Sequence, residues 1–365
     1  MIRILVVDDS ALVRKLFGRV LAEETDLEVR FARNGIEALA QLDEFRPDVI
    51  TLDVQMPEMD GLECLDRIMV QRPCPVVMVS TITAEGAEAT LNALQLGAVD
   101  FVEKPSGAVS LRMEEFAPTF KSKIRAAAAA RVPASRRLRE RVQFRAGTAL
   151  APRPRRTVEI ADVPVEAAQG NGIVLVGTST GGPPALEALL TPLPATFPWP
   201  ILVAQHMPSA FTGPLARRLD GICALQVVEA AVPLPLEAGK VYIGRGDADI
   251  VLSRRAGVLT VLAAPEKTDY PWHPSTDRLV RSAMALVPAT QLIGVLMTGM
   301  GNDGAVAMAE LRAGGGATIA EAEETAVVWG MPGELARAGG ATFVLPLQKI
   351  AQRLQSLVPL HAPRT

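Results

Sequence analysis

The sequence predicts an α/β protein made of two successive strand–helix alternations joined by a basic linker. Three observations carry this. Short apolar runs rich in β-branched residues, such as Ile2–Val7 and Ile173–Val176, alternate with stretches whose apolar residues recur at helical spacing. Polar or glycine-rich turns follow those runs, as in parallel doubly wound sheets, where ligands gather at the carboxyl ends of strands. Between the two alternations, residues 121–170 have a different composition.

Composition sets outer bounds. The 365 residues, 49% hydrophobic and 21% charged, suffice for two cores. A net charge of -3 singles out no partner class. Cys64, Cys74 and Cys223 are too far apart for a metal spacing and read as free thiols in a reducing compartment. The first apolar run stops at Asp8-Asp9, so it is not a signal peptide, and no apolar stretch is long enough to span a bilayer. The expectation is a cytoplasmic protein without membrane insertion.

In the first unit, residues 1–120, five strands are expected: Ile2–Val7, Val29–Ala32, Val49–Leu52, Val76–Val79 and Val99–Val102. Val13, Leu16, Phe17, Val20 and Leu21 share one helical face behind Ser10, a helix cap. A second helix runs from Gly35 to Phe45 and stops at Pro47. Asp8, Asp9, Asp53, Ser80 and Lys104 all follow apolar runs, so they converge at strand ends. Three converging carboxylates repel one another, and a hard cation such as Mg²⁺ relieves that. Asp53 is then placed to attack a phosphoryl group, Ser80 to hydrogen-bond its oxygens and Lys104 to balance the charge. Phe101 by itself reads as a core phenylalanine.

These positions resemble the receiver domain of two-component response regulators. The resemblance runs through Asp8-Asp9, through Leu52-Asp53-Val54-Gln55-Met56-Pro57-Glu58-Met59-Asp60-Gly61 and through Lys104-Pro105. It implies a flavodoxin-like fold of five parallel strands. It also implies phosphorylation of Asp53 by a histidine kinase, with Mg²⁺ held by Asp8, Asp9 and Asp53 and with Ser80, Phe101 and Lys104 as the switch.

From Lys121 to Arg156 the ionisable residues are basic apart from Glu140, and Pro133, Pro152 and Pro154 break the pattern. This reads as a solvated linker, with Ala126–Ala130 able to prolong the preceding helix. A basic run can also bind nucleic acid, but no recognition-helix pattern accompanies this one.

The second unit, residues 171–358, precedes a short tail, 359–365. Its strands are expected at Ile173–Val176, Pro200–Val203, Lys240–Ile243, Ile250–Leu252, Val258–Leu262, Leu292–Met297, Ala317–Ala320 and Ala341–Leu345, with a helix at Ala305–Leu311. Gly177-Thr178-Ser179-Thr180-Gly181 places Ser179 where a strand hands over to a helix that starts with Pro183-Pro184. Unpaired amides and the positive end of the helix dipole suit either a nucleophile or a bound anion there. A serine nucleophile needs a base and an orienting group. Of three histidines, His206 directly follows an apolar strand, His273 does not, and His361 lies in the tail. Asp303, in the glycine-rich turn after Met297, is the clearest orienting carboxylate, and that turn offers amides near Met300 for an oxyanion.

The order Ser179, His206, Asp303 differs from the Ser, Asp/Glu, His order of α/β-hydrolases. It matches instead the catalytic domain of the chemotaxis receptor methylesterases, the CheB family. This domain resembles residues 172–358 through Gly177–Gly182, Gln205-His206-Met207-Pro208, Pro274-Ser275-Thr276-Asp277, Met297–Ala305 and Gly330-Met331-Pro332. The resemblance implies a Rossmann-like domain with a mostly parallel sheet. Its implied reaction is hydrolysis of glutamate methyl esters, with deamidation of glutamines, on the cytoplasmic part of methyl-accepting chemotaxis receptors. Ser179 would be the nucleophile, His206 the base, Asp303 the orienter, and the Thr180 and Met300 amides the oxyanion donors, with no cofactor for the ester chemistry. A CheA-type histidine kinase would be the phosphodonor. Two stretches depart from the family pattern: Gly244–Asp249, with Asp249 in place of a histidine, and Pro271-Trp272-His273. A response regulator acting by binding alone, or an esterase of a non-motility pathway, are the competing readings.

Overall fold

The computed structural model describes residues 1–81, 83–104, 109–130 and 172–358. Most of the expected linker, the tail with His361, and Pro105 lie outside the described residues.

The first unit alternates strand and helix: β1 (Ile2–Val7), α1 (Ala11–Ala22), β2 (Leu27–Ala32), α2 (Gly35–Phe45), β3 (Val49–Asp53), α3 (Gly61–Gln71), β4 (Val76–Ser80), α4 (Ala84–Leu96), β5 (Asp100–Glu103) and α5 (Val109–Ala128). The sheet order is β2-β1-β3-β4-β5, with every pair parallel. Side chains of Ser10, Asn34, Asp60 and Thr83 cap the four helices that follow them, each accepting a hydrogen bond from an amide of the first turn. Strand β2 begins two residues earlier than expected, at Leu27, and Val99 precedes β5 and bonds Val76 O instead of opening the strand. Helix α5 runs on to Ala128, the prolongation that the alanine run allows, and Phe116 and Phe120 pack on Phe17 of α1.

The second unit comprises β6 (Ile173–Thr178), α6 (Gly182–Leu190), β7 (Ile201–Gln205), α7 (Ser209–Ile222), β8 (Gln226–Ala230), β9 (Leu234–Pro235), β10 (Lys240–Gly244), β11 (Asp249–Arg255), β12 (Val258–Ala264), α8 (Thr276–Met284), β13 (Leu292–Leu296), α9 (Ala305–Ala313), β14 (Ala317–Glu321), α10 (Met331–Arg337), β15 (Phe343–Leu345) and α11 (Leu347–Leu357). Seven strands form a parallel sheet, β15-β14-β13-β6-β7-β10-β8. The expected β11–β12 hairpin is present and forms a separate antiparallel sheet with β9. Strand β8 has no apolar alternation to announce it. It is an edge strand whose Gln226 is exposed and whose Glu229 bonds Thr212 of α7.

The chain leaves β6 toward β7 on one side and returns through β13 on the other. That reversal opens a crevice at the carboxyl ends of β13, β6 and β7. The two units pack directly on each other. Helix α4 lies against α6 and α7, Phe101 meets Phe211 with ring centroids 4.3 Å apart, and Arg218 Nη1 donates to Asn92 Oδ1 at 2.7 Å. Strand β5 of the first unit therefore ends at the crevice of the second.

Phe197 and Trp199, in the loop between α6 and β7, are each 1% exposed and share a core with Leu186, Leu189 and Val174. Removing a buried indole costs its transfer free energy and leaves a cavity. Trp199→Ala is therefore expected to lower stability by about 3–5 kcal/mol, measured as a shift in the urea midpoint.

Candidate active site

Three adjacent strands deliver the three side chains singled out in the second unit. Ser179 follows β6, His206 follows β7, and Asp303 sits in the loop after β13. Main-chain bonds tie these ends together. Ser179 N donates to Thr298 O at 3.0 Å, and His206 N donates to Thr178 O at 3.0 Å. Ser179 O accepts from Gly182 N at 2.7 Å, closing the tight turn into α6. Gly181 makes that turn possible with φ of 77°, a conformation that side chains disfavour. Gly299 allows the β13 loop to approach, since a Cβ there would sit 2.8 Å from Ser179 Cβ.

His206 Nε2 lies 2.8 Å from Asp303 Oδ2, with both side chains nearly buried. Its other ring nitrogen, Nδ1, is buried and has no partner among the described residues. Nδ1 is thus the nitrogen left to take a proton, and Ser179 and His206 line the same cleft. Gln205 steadies both neighbours, its Nε2 donating to Ser179 O at 3.1 Å and to His206 O at 3.0 Å.

Asp303 is more firmly held than sequence reasoning anticipated. Its carboxylate accepts from Ser275 Oγ at 3.0 Å, Thr276 N at 2.6 Å and Asp277 N at 3.0 Å, besides His206. Burial pushes its pKa up, but the His206 bond and the two amides outweigh burial and hold the carboxyl below the usual carboxylate range. The amides belong to the N-terminal turn of α8, capped by Ser275, where the helix dipole favours an anion. The available signal was the capping residue Ser275 just ahead of the amphipathic α8; it marks a helix start but not the anion that start would hold.

The departures flagged in the sequence meet behind this turn. Asp249 is fully buried and does not face the cleft. Its carboxylate pairs with His273 Nδ1 at 2.9 Å and accepts from Ser275 N at 2.7 Å and Arg278 Nη1 at 2.5 Å. Asp249 therefore steadies the residue that caps α8. Trp272 and His273 do line the cleft, and the Trp272 ring lies parallel to His206, 4° apart, with centroids separated by 6.1 Å. The Thr180 and Met300 amides donate to no acceptor among the described residues, whereas Gly182 N and Gly299 N are engaged.

The cleft, about 690 Å³, is walled on its far side by the first unit. Thr180 Oγ1 donates to Asp100 Oδ2 at 2.5 Å, and Ser122 Oγ of α5 reaches Met300 Sδ at 3.1 Å. Lys123 Nζ donates to Asp100 Oδ1 at 2.8 Å and to Phe101 O at 2.7 Å. Phe101 is 4% exposed and belongs to this interface.

A second crevice opens at the carboxyl ends of β1, β3, β4 and β5. It brings together Asp8, Asp9 and Asp53, with one carboxylate oxygen of each within 4.8 Å of the others. Lys104 Nζ sits 2.6 Å from Asp53 Oδ2 and 3.0 Å from Asp8 Oδ2. Burial raises the Asp53 pKa to about 6; Lys104 opposes the shift and Asp8 adds to it. One ammonium against three carboxylates leaves an all-oxygen anionic cluster, Asp9 exposed at its edge, a donor set that suits Mg²⁺. Ser80 lines this crevice while its hydroxyl donates to Gly86 O at 3.2 Å.

Comparison with known proteins agrees with this geometry. Residues 174–354 match the CheB methylesterase family model, and residues 4–114 match the response regulator receiver domain. A protein-glutamate methylesterase/protein-glutamine glutaminase of Rhodopseudomonas palustris is 55% identical over 96% of this chain and 96% of its own length. One from Rhodospirillum rubrum is 50% identical over 98% of this chain and 96% of its own length. The crystal structure of the Thermotoga maritima CheB methylesterase catalytic domain is 38% identical, with a TM-score of 0.50, and is covered over 100% of its length by 52% of this chain. Carrying both matched domains and near-full-length identity to such proteins, the chain belongs to the CheB methylesterase family, with a receiver domain ahead of the catalytic domain.

Proposed function

We propose that the protein hydrolyses glutamate methyl esters, and glutamine carboxamides, on the cytoplasmic part of methyl-accepting chemotaxis receptors, under control of its receiver domain. The observation that carries this reading is the His206–Asp303 pair: His206 Nδ1 has no partner among the described residues, and His206 and Ser179 line one cleft. Asp303 fixes the imidazole so that Nδ1 can take the Ser179 proton. Ser179 Oγ then bonds to the ester carbonyl carbon, and the carbonyl electron pair moves onto oxygen. The Thr180 and Met300 amides receive that oxyanion. His206 returns the proton to the departing methoxide, or to the amine of a glutamine, releasing methanol or ammonia. Water repeats the sequence on the acyl-serine, leaving a free glutamate and Ser179 restored. No step calls for a cofactor.

In the receiver, Asp53 is the proposed phosphoryl acceptor, with a CheA-type histidine kinase as donor. Asp8, Asp9 and Asp53 would hold Mg²⁺, which, when bound, offsets the charge of the incoming phosphoryl group. Lys104 already bridges Asp8 and Asp53, so a phosphoryl group on Asp53 changes what Lys104, at the end of β5, must neutralise. Asp100 and Phe101 of the same strand are the residues that contact the catalytic unit. Moving the closed-to-open ratio from 1:99 to 99:1 takes a bias of about 5.5 kcal/mol. Among the described residues no helix is long and apolar enough to cross a membrane, in keeping with a cytoplasmic enzyme acting on receptor tails.

Ser179→Ala and Asp303→Asn are expected to reduce methanol release from methylated receptor membranes by about 10³-fold or more while leaving the folded protein intact. Residual release equal to the parent protein would remove Ser179 as nucleophile. Asp100→Ala frees the Thr180 hydroxyl from the receiver. It is expected to raise methanol release without phosphodonor and to shrink the gain that phosphodonor adds. Asp53→Asn should abolish that gain. An unchanged basal rate in Asp100→Ala would show that this contact does not close the site.

A further inference from the structure

Glu321, the last residue of β14, is wholly buried, and the ester chemistry above gives it no role. Its Oε2 accepts from Thr298 N at 2.8 Å and its Oε1 from Thr325 Oγ1 at 2.9 Å. Thr298 is the hub of the reacting turn. Its carbonyl oxygen accepts Ser179 N at 3.0 Å and Thr178 Oγ1 at 3.1 Å. Its hydroxyl donates to Thr180 O at 2.8 Å and accepts Val328 N at 3.0 Å. Gly299 and Met300 follow directly. One buried carboxylate thus anchors the residue whose carbonyl oxygen accepts the nucleophile's amide, whose hydroxyl bonds Thr180 O, and whose chain runs on to Met300.

We propose that Glu321 is a positioning residue for the esterase site, holding the Thr298 peptide most firmly when it is ionised and so tuning turnover with pH. The proposal rests on the serine-esterase reading. The structure accommodates both protonation states. Ionised, Glu321 accepts two hydrogen bonds, and the Thr298 one is charge-assisted. Protonated at Oε1, it can donate to Thr325 Oγ1, whose own hydrogen turns to Ala322 O, 3.3 Å away. The Thr298 bond survives but becomes an ordinary neutral one. Burial raises the Glu321 pKa to about 7, opposed by the Thr298 and Thr325 bonds alone. No charged side chain of β13, β15, α9, α10 or α11 contributes to that balance among the described residues.

As pH rises through about 7, Glu321 loses its proton and the loop tightens, adding a dissociation to that of the base. The test uses the full-length protein, methylated receptor membranes as substrate, and methanol release from pH 5.5 to 9. For Glu321→Gln, which keeps an acceptor for Thr298 N but cannot ionise, kcat should equal that of the parent at pH 5.5 and fall about 3- to 10-fold below it at pH 8.5, with KM unchanged. Its acid limb should be shallower. Glu321→Leu, which leaves the Thr298 amide unpaired, should lose kcat at every pH. An unchanged acid limb in Glu321→Gln overturns the proposal, even if the leucine variant fails to fold. Release that is equal in Ser179→Ala and the parent would instead overturn the esterase reading beneath it.

Discussion

The hydrogen bond between His206 and Asp303 is the constraint on which the rest of the catalytic unit depends. It joins the ends of β7 and β13, which flank β6. A buried carboxylate is costly unless nearly every lone pair is occupied. Here the occupants are the Ser275 hydroxyl, two amides from the first turn of α8, and the imidazole. Helix α8 is therefore part of the site, although none of its residues faces the nucleophile. Asp249, in turn, holds Ser275 N and the His273 and Arg278 side chains, so a second buried carboxylate supports the first. Asp249 thus belongs to the support of the site and not to its lining.

Much of this was legible in the sequence. Alternating apolar runs and helical faces gave away both parallel sheets, because buried parallel strands are nearly continuous apolar stretches. Ser179, His206, Asp303 and the Asp8, Asp9, Asp53, Lys104 cluster stood out because each follows such a run. What stayed hidden follows from the same logic. Strand β8 is an edge strand, so Gln226 and Glu229 break its apolar run. Asp249 opens β11 and looks like a turn residue in sequence, yet it is buried against the His273 and Arg278 side chains, 24 and 29 positions away. Glu321 reads as an ordinary exposed acid after a strand. Only the fold shows that Thr298 N, 23 positions distant, points at it.

The contact between the two units is small in number of polar bonds but well placed. Thr180 is the residue after the proposed nucleophile, and its hydroxyl is engaged by Asp100 while its amide stays free. The receiver thus reaches the catalytic turn through a side chain and leaves the backbone geometry of the oxyanion site intact. In the activation proposed above, opening need not rebuild the site; separating Asp100 from Thr180 and α5 from Met300 would expose it as it stands. Burial of Phe101 against Phe211 adds to the cost of that separation, since the two rings give up a mutual apolar contact. A larger aromatic cluster there would raise the bias that phosphorylation must supply.

Glu321 and Asp53 illustrate two uses of a buried acid at a strand end. Both are raised above the ordinary range by desolvation, Glu321 to about 7 and Asp53 to about 6. Asp53 has Lys104 beside it and two further carboxylates within 4.8 Å, a cluster whose excess negative charge invites a cation. Among the described residues Glu321 has neither a cation beside it nor an opening to solvent; its partners are a backbone amide and a hydroxyl that can reverse direction. Such a group can take up a proton without moving, which suits holding a loop rather than binding a ligand. The difference lies in neighbours and access, not in the acid, so the position of a carboxylate after a strand marks a candidate and its partners decide its task.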